Sequence, residues 1–288
     1  MIEGQEDVSW EQWVALARTC EEHGVEGLFR SDHYRGWTRQ PGGALDAWAT
    51  LAGLAAITST VRLGTMVSPV TFRPAAVLAK SVVTVDHISG GRVELGIGAG
   101  WNEQEHALHG LKFPPTRERV RMLREQADTI LSHWTDDEEV QPKPLQKPHP
   151  PLIVGGTGKP GTLQPAARFA DEYNTFGATV SEARTRRRLL AEACEQHGRD
   201  PSSIRFTLMT TFALGPDGLR RTNALLGRDG APPESWIAGS LDEVVARLNE
   251  YADAGVDGVY LQHLVHEDLE TVEAIGRELS PAVAQLRG

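Results

Sequence analysis

The amino-acid sequence predicts an α/β fold of the (β/α)8 TIM-barrel type. Short buried β-type runs alternate with amphipathic helical stretches along the chain, the pattern of a parallel sheet with crossover helices. A helix–glycine–strand unit near the start is repeated in design near the end. The length, 288 residues, is one an α/β barrel takes around a single large core. The organisation expected is therefore one domain over residues 1–288.

Trp10, Trp13, Val14, Ala17 and Cys20 recur at helical spacing, and Ser9 with Gln12 has the form of a capping box. This predicts a helix over residues 9–23. Gly24 supplies the left-handed conformation that ends it, and residues 25–29 read as a buried strand. Leu241, Val244, Val245, Leu248 and Tyr251 form a second stripe capped by Ser240 and Glu243, followed by a strand over residues 255–260. Between the two units lie β-type runs at 61–67, 92–97, 151–154, 171–176 and 204–214. That makes seven strands where a closed barrel needs eight. Met1-Ile2-Glu3-Gly4 reads as the tail of the missing one, so the expectation is a barrel whose first strand is truncated in this chain.

Composition narrows the function. Hydrophobic residues make up 40% and charged residues 24%, which is ordinary for a globular protein. Thirty-nine acidic and 29 basic residues leave a net charge of −10, which repels polyanions and argues against nucleic acid as a partner. The basic cluster of Arg184 and Arg186 to Arg188 lies in a helical stretch and reads as a solvated face. Cys20 and Cys194 have no metal-ligand spacing and form no disulfide framework, so both read as buried fillers and no metal is expected. Residues 1–7 are polar, and no apolar window approaches the roughly 18 residues of a membrane span. A cytoplasmic setting without a membrane partner is the expectation.

Barrel sites are built at the carboxyl ends of the strands. Those ends offer Ser31-Asp32-His33, Met66-Val67-Ser68, Gly98-Ala99-Gly100-Trp101-Asn102-Glu103, Gly155-Gly156-Thr157-Gly158-Lys159 and Gln262-His263. Asp32, His33, Glu103, Glu105, His106 and His263 lack the spacing that a paired-carboxylate glycosidase or a metal hydrolase requires. Gly155 to Lys159 joins a strand to a helix starting near Pro160, where bare N–H groups and a lysine meet a phosphate; a tight βα turn accounts for the glycines equally well. Gly98 to Asn102 suits a planar ligand with polar edges, or a turn with a packed Trp. His33 at a strand end can hydrogen-bond a developing charge or satisfy a neighbouring carbonyl.

Taken in order, Ser31-Asp32-His33-Tyr34, the run from Arg62 to Pro74, Asp86 to Arg92 leading into Gly98 to Asn102, and Gly155 to Gly158 resemble the luciferase-like flavin monooxygenase superfamily. The likeness is strongest to its branch that uses the deazaflavin coenzyme F420. The resemblance implies a cofactor across the strand ends, held by Met66, Val67, Ser68, Gly100, Trp101, Asn102 and Gly155 to Lys159, with its phosphate near Gly156 to Lys159. It implies a non-proline cis peptide at Met66-Val67. It also implies Asp32 and His33 near the ring, His33 as acid or base, and a hydride passing between the deazaflavin C5 and a small organic substrate. Reduced FMN in a monooxygenase of the same fold is the alternative cofactor, and a binding protein without turnover the alternative function. The segments after Trp134 and after Gly215 are short for this family. Its members imply a homodimer, with the helix around Ala75 to Val85 as a candidate interface.

Overall fold

Ser9 opens the first helix as its sequence requires: its backbone N–H donates to the Gln12 side chain at 2.8 Å, and its hydroxyl accepts from the Gln12 N–H. Such a cap contributes about 1 kcal/mol. The helix, α1 (Trp10–Glu22), buries Trp13, Leu16, Ala17 and Cys20, and Gly24 follows at φ 72°. The computed structural model describes residues 1–38 and 42–284.

After α1 come β1 (Gly27–Arg30), α2 (Ala47–Ile57), β2 (Arg62–Thr65), the two-residue β3 (Ser68–Pro69), α3 (Ala75–Ser89) and β4 (Val93–Gly98). The middle of the chain holds α4 (Glu103–Leu108), α5 (Thr116–Trp134), β5 (Leu152–Gly156), α6 (Pro160–Phe169), β6 (Glu172–Phe176) and α7 (Val180–Gln196). The last third holds β7 (Arg205–Leu214), α8 (Gly215–Leu225), β8 (Ile237–Gly239), α9 (Leu241–Asp253), β9 (Gly258–Gln262) and α10 (Leu269–Ala274). The capping box expected at Ser240 and Glu243 is present on α9.

All pairings are parallel. The order runs β1, β2, β4, β5, β6, β7, with β3 beside β4 and with β8 and β9 both on β7. Met1 and Ile2 lie between β9 and β1. Ile2 N–H donates to Phe29 O at 2.9 Å, Ser31 N–H to Ile2 O at 3.2 Å, and His263 N–H to Met1 O at 3.0 Å. The segment read as the tail of the first strand thus occupies the first strand's place and closes the curled sheet into a TIM barrel.

The main core lies between sheet and helices, from Trp13 and Leu16 through Leu95, Val154 and Phe206 to Tyr251. A smaller cluster of Phe29, Met66 and Ile153 fills the barrel lumen. Cys20 and Cys194 are buried thiols. The segment after Trp134 is tied to the amino end of the barrel, where Asp86 accepts from Leu145 N–H at 2.6 Å and the Gln146 side chain reaches Val93 O at 2.7 Å. Among the described residues no helix is long and apolar enough to cross a membrane.

Candidate active site

The carboxyl end of β1 releases the chain into Ser31, Asp32 and His33, and the carboxyl end of β4 leads through Asn102 into α4. Asn102 caps α4, its side chain accepting from Glu105 N–H at 3.1 Å. That cap sets the first turn so that Glu105 points back at β1. His33 Nδ1 lies 2.7 Å from Glu105 Oε2, and Glu105 Oε1 accepts from the backbone N–H groups of Tyr34 and Arg35. Burial opposes charge on His33, but the hydrogen bond and charge of Glu105 outweigh it and raise the imidazole pKa. Burial likewise opposes ionisation of Glu105, and its bonds to His33 and the two N–H groups hold its pKa below the usual range. The geometry is that of a partly buried imidazole hydrogen-bonded to a carboxylate. Trp101 stands edge-on to His33, ring centres 5.6 Å apart, with 65% of its surface exposed.

One layer deeper, Asp32 is completely buried. Its Oδ2 accepts from Ser68 Oγ at 2.6 Å and from Arg73 at 2.6 Å. Ser68 in turn accepts from Trp48 Nε1 at 3.1 Å. Arg73 bridges onward to Asp46 and to the Tyr34 hydroxyl at 2.9 Å, and Tyr34 lies flat on Phe72 with ring centres 5.0 Å apart. Asp32 Oδ1 has no hydrogen-bond partner among the described residues.

The site's floor is made by Val67. The Met66-Val67 peptide is cis, as the resemblance implied, and Met66 turns into the lumen. Val67 packs against glycines on two neighbouring strands. A Cβ at Gly96 would lie 2.9 Å from Val67 Cγ1, at Gly98 2.7 Å from Cγ2, and at Gly155 3.0 Å from Cγ1. Gly100, at φ 77°, turns the chain away above them.

Next to β4, β5 ends in Gly155 and Gly156 and α6 starts at Pro160 with Lys159 exposed at its N-cap. A Cβ on Gly156 would fall 2.6 Å from the Tyr173 hydroxyl, which accepts from Gly158 N–H at 2.8 Å. Beside this turn an open cleft of about 310 Å³ is lined by Thr157, Gly158, Ser181, Glu182, Thr185 and Arg186, with Leu189 behind. Arg186 donates to Thr175 Oγ1 at 2.8 Å and to Phe176 O at 2.9 Å. This corrects the reading of the basic cluster as a solvated face. Arg187 lies over Phe206 and Arg188 pairs with Glu192 in solvent, but Arg186 turns inward to the strand ends.

The sequence-derived residues therefore fall into two groups on one face. Asp32, His33, Ser68, Gly100, Trp101 and Asn102 lie at the ends of β1, β3 and β4, and Gly155 to Lys159 end and follow β5, the next strand, with Gly155 against Val67. Residues that sequence reasoning did not assign to this site are Glu105, Arg73, Tyr34 and Arg186. His263, at the end of β9, is buried, its Nε2 3.1 Å from Asp268 O; burial lowers its pKa to about 4 and keeps it neutral. Among the described residues no cluster of metal-ligating side chains forms.

Parallel strands curled shut, with polar side chains converging on their carboxyl ends, place the molecule among the TIM-barrel proteins. Within that class the chain belongs to the luciferase-like monooxygenase family, whose sequence model matches residues 2–218. An uncharacterized protein of Mycobacterium tuberculosis is 41% identical over 145 residues, 46% of this chain and 50% of that protein, so the chain spans about half the length of such curated relatives. An F420-dependent glucose-6-phosphate dehydrogenase of Microbacterium testaceum is 30% identical over 306 residues, 91% of this chain and 90% of that one. Among solved structures, an F420-dependent secondary alcohol dehydrogenase in complex with an F420-acetone adduct superposes with a TM-score of 0.80 at 18% identity, covering 98% of this chain and 97% of that chain.

Proposed function

We propose that this chain is an oxidoreductase that binds coenzyme F420 across its strand ends and exchanges a hydride with a small organic substrate. The observation that carries the reading is the His33–Glu105 pair, set beside exposed Trp101 above a glycine-backed Val67 floor. Coverage of nine-tenths of an F420-dependent dehydrogenase supports the choice of coenzyme.

The residues present fit such a coenzyme. The bare backbone at Gly155 to Gly158, the hydroxyls of Thr157, Ser181 and Thr185, and the cations Lys159 and Arg186 suit its phosphate; Glu182 in the same cleft is held by the α7 cap at Thr179 and lies 3.8 Å from Arg186. Val67, Gly100 and Trp101 suit a flat ring. When bound, the coenzyme supplies two-electron hydride chemistry at its ring C5. Taking a hydride from a carbinol carbon leaves a hydroxyl proton, and His33 is the group placed to receive it. Glu105 fixes the imidazole with Nδ1 engaged, which leaves Nε2 as the atom that exchanges the proton. In the reverse direction His33 returns the proton to the carbonyl oxygen. Asp32, sealed under Ser68 and Arg73, anchors the turn that carries His33.

One domain over residues 1–288, a cytoplasmic setting and a homodimer belong to the same reading. Val77 and Ile88, exposed on α3 while Leu78, Val82 and Val85 are buried, support that helix as the dimer face.

The test is a titration of the purified protein with F420 and, separately, with FMN, followed by tryptophan fluorescence. Micromolar quenching by F420 alone is the expected result. Quenching by FMN alone replaces the reading with a flavin monooxygenase, and no response to either refutes the cofactor site.

A further inference from the structure

The charges around His33 go further and bear on what the site reduces or oxidises. Resting on the function proposed above, we infer that the substrate is an uncharged alcohol or carbonyl compound, and that phosphate esters and carboxylates are excluded.

An anion is held in a protein by cations or by consecutive backbone N–H groups pointing into one space. The loop after β1 offers such N–H groups, and the chain's own carboxylates already fill them. Glu105 takes the N–H groups of Tyr34 and Arg35. Glu6 takes those of Trp37 at 2.7 Å and Thr38 at 3.1 Å, together with the Thr38 hydroxyl. The Ser31 hydroxyl accepts the Gly4 N–H at 3.0 Å. Each of these described donors, where a substrate phosphate could otherwise sit, holds an internal group.

The described cations here also have internal partners, carboxylates for Arg73 and neutral oxygens for Arg30 and Arg35. Arg73 joins Asp32 to Asp46, Arg30 is buried against the carbonyls of Ser31 and Leu45, and Arg35 donates to Gln104. At the end of β9, Gln262 donates to Glu3 at 2.6 Å, and Arg221 is taken by Asp217 and Asp268. The polar wall around His33 thus carries the buried carboxylates of Glu3, Glu6, Asp32 and Glu105, and among the described residues its cations have partners. The open surface beside it is aromatic, with Trp37 exposed over 48% and Trp101 over 65% of their areas. Exposed Lys159 and inward-turned Arg186 lie on the β5–β6 side of the mouth, where the coenzyme's own phosphate belongs. One rim of the mouth accepts anions and the other refuses them.

The experiment uses the full chain saturated with F420, so that failure of coenzyme binding counts against the earlier reading and not this one. Rates of coenzyme reduction are compared within matched pairs that differ in charge: lactamide with lactate, and glucose with glucose 6-phosphate. The neutral member of a pair is expected to exceed the anion in kcat/KM by about 100-fold, and inorganic phosphate at 10-fold molar excess over a reacting alcohol is expected not to compete with it. Equal or better turnover of an anion, or competition by phosphate in the wild type, overturns the inference. Glu6→Ala vacates the Trp37 and Thr38 N–H groups and is expected to create inhibition by inorganic phosphate competitive with the alcohol, while Glu6→Gln, which keeps an acceptor, creates less. A Glu6→Ala protein that stays as insensitive to phosphate as the wild type also overturns it.

Discussion

His33 Nδ1 and Glu105 Oε2 meet at 2.7 Å although 72 positions separate the two residues in the chain. The link joins the loops after β1 and β4 and, in the function proposed above, sets the proton chemistry of the mouth. Because the His33 pKa is raised above its ordinary 6.5 and that of Glu105 is lowered below 4.5, both are charged in the folded protein between those values. The histidine's share of stability is complete below its unfolded pKa and is lost as pH rises through the folded one. The glutamate's share is present above its unfolded pKa and is lost as pH falls through the folded one. Glu105→Gln should therefore destabilise most between about pH 4.5 and 6.5, by about 1–3 kcal/mol, as read by denaturant melts across pH. The same variant should move the His33-dependent limb of a kcat/KM profile to lower pH. A limb that stays in place would remove Glu105 from the proton path.

Arg73 neutralises a carboxylate that has no access to water. Replacing it with leucine leaves buried Asp32 with the Ser68 hydroxyl as its remaining hydrogen-bond donor among the described residues, and a loss of about 3–5 kcal/mol is expected in chemical denaturation. Arg73→Lys should recover part of this, because a single ammonium cannot reach Asp32, Asp46 and Tyr34 in the planar fork that arginine provides.

Gly98→Ala tests the floor. The new methyl would start 2.7 Å from Val67 Cγ2, so Val67 must move toward the mouth. A cost of about 1–3 kcal/mol in stability is expected. Affinity for F420, measured by titration, should fall by more than this loss explains.

Trp101 is exposed and carries little of the fold. Trp101→Phe should change stability by less than about 0.5 kcal/mol, yet abolish most of the fluorescence quenching on coenzyme addition. Full quenching in the variant would place the ring elsewhere.

How much of this was legible in the sequence follows from the range of the forces involved. The α1 and α9 capping boxes, the glycine turn before Pro160 and the buried strands are written in residues a few positions apart, and all were readable. Helix α2 was not, because Ala47 to Ile57 is apolar on every side and shows no periodicity, and the three-residue β8 is too short to announce itself. Glu105 read only as one more acid near His106; its meaning comes from a partner on another loop. Arg186 was hidden for a similar reason. Nothing in a run of arginines says which one lies on the inner face of α7.

The trench beneath Val67 also bears on the histories open to this barrel. The side chain at position 67 takes the space that residues 98 and 155 leave open, so replacements at these positions do not act independently. A smaller residue at 67 makes room for a larger one at 98, and the reverse order passes through a barrel with a displaced Val67. Lineages that enlarge position 98 therefore meet the lower cost when position 67 shrinks first, and a library built one substitution at a time samples the two changes without that coupling.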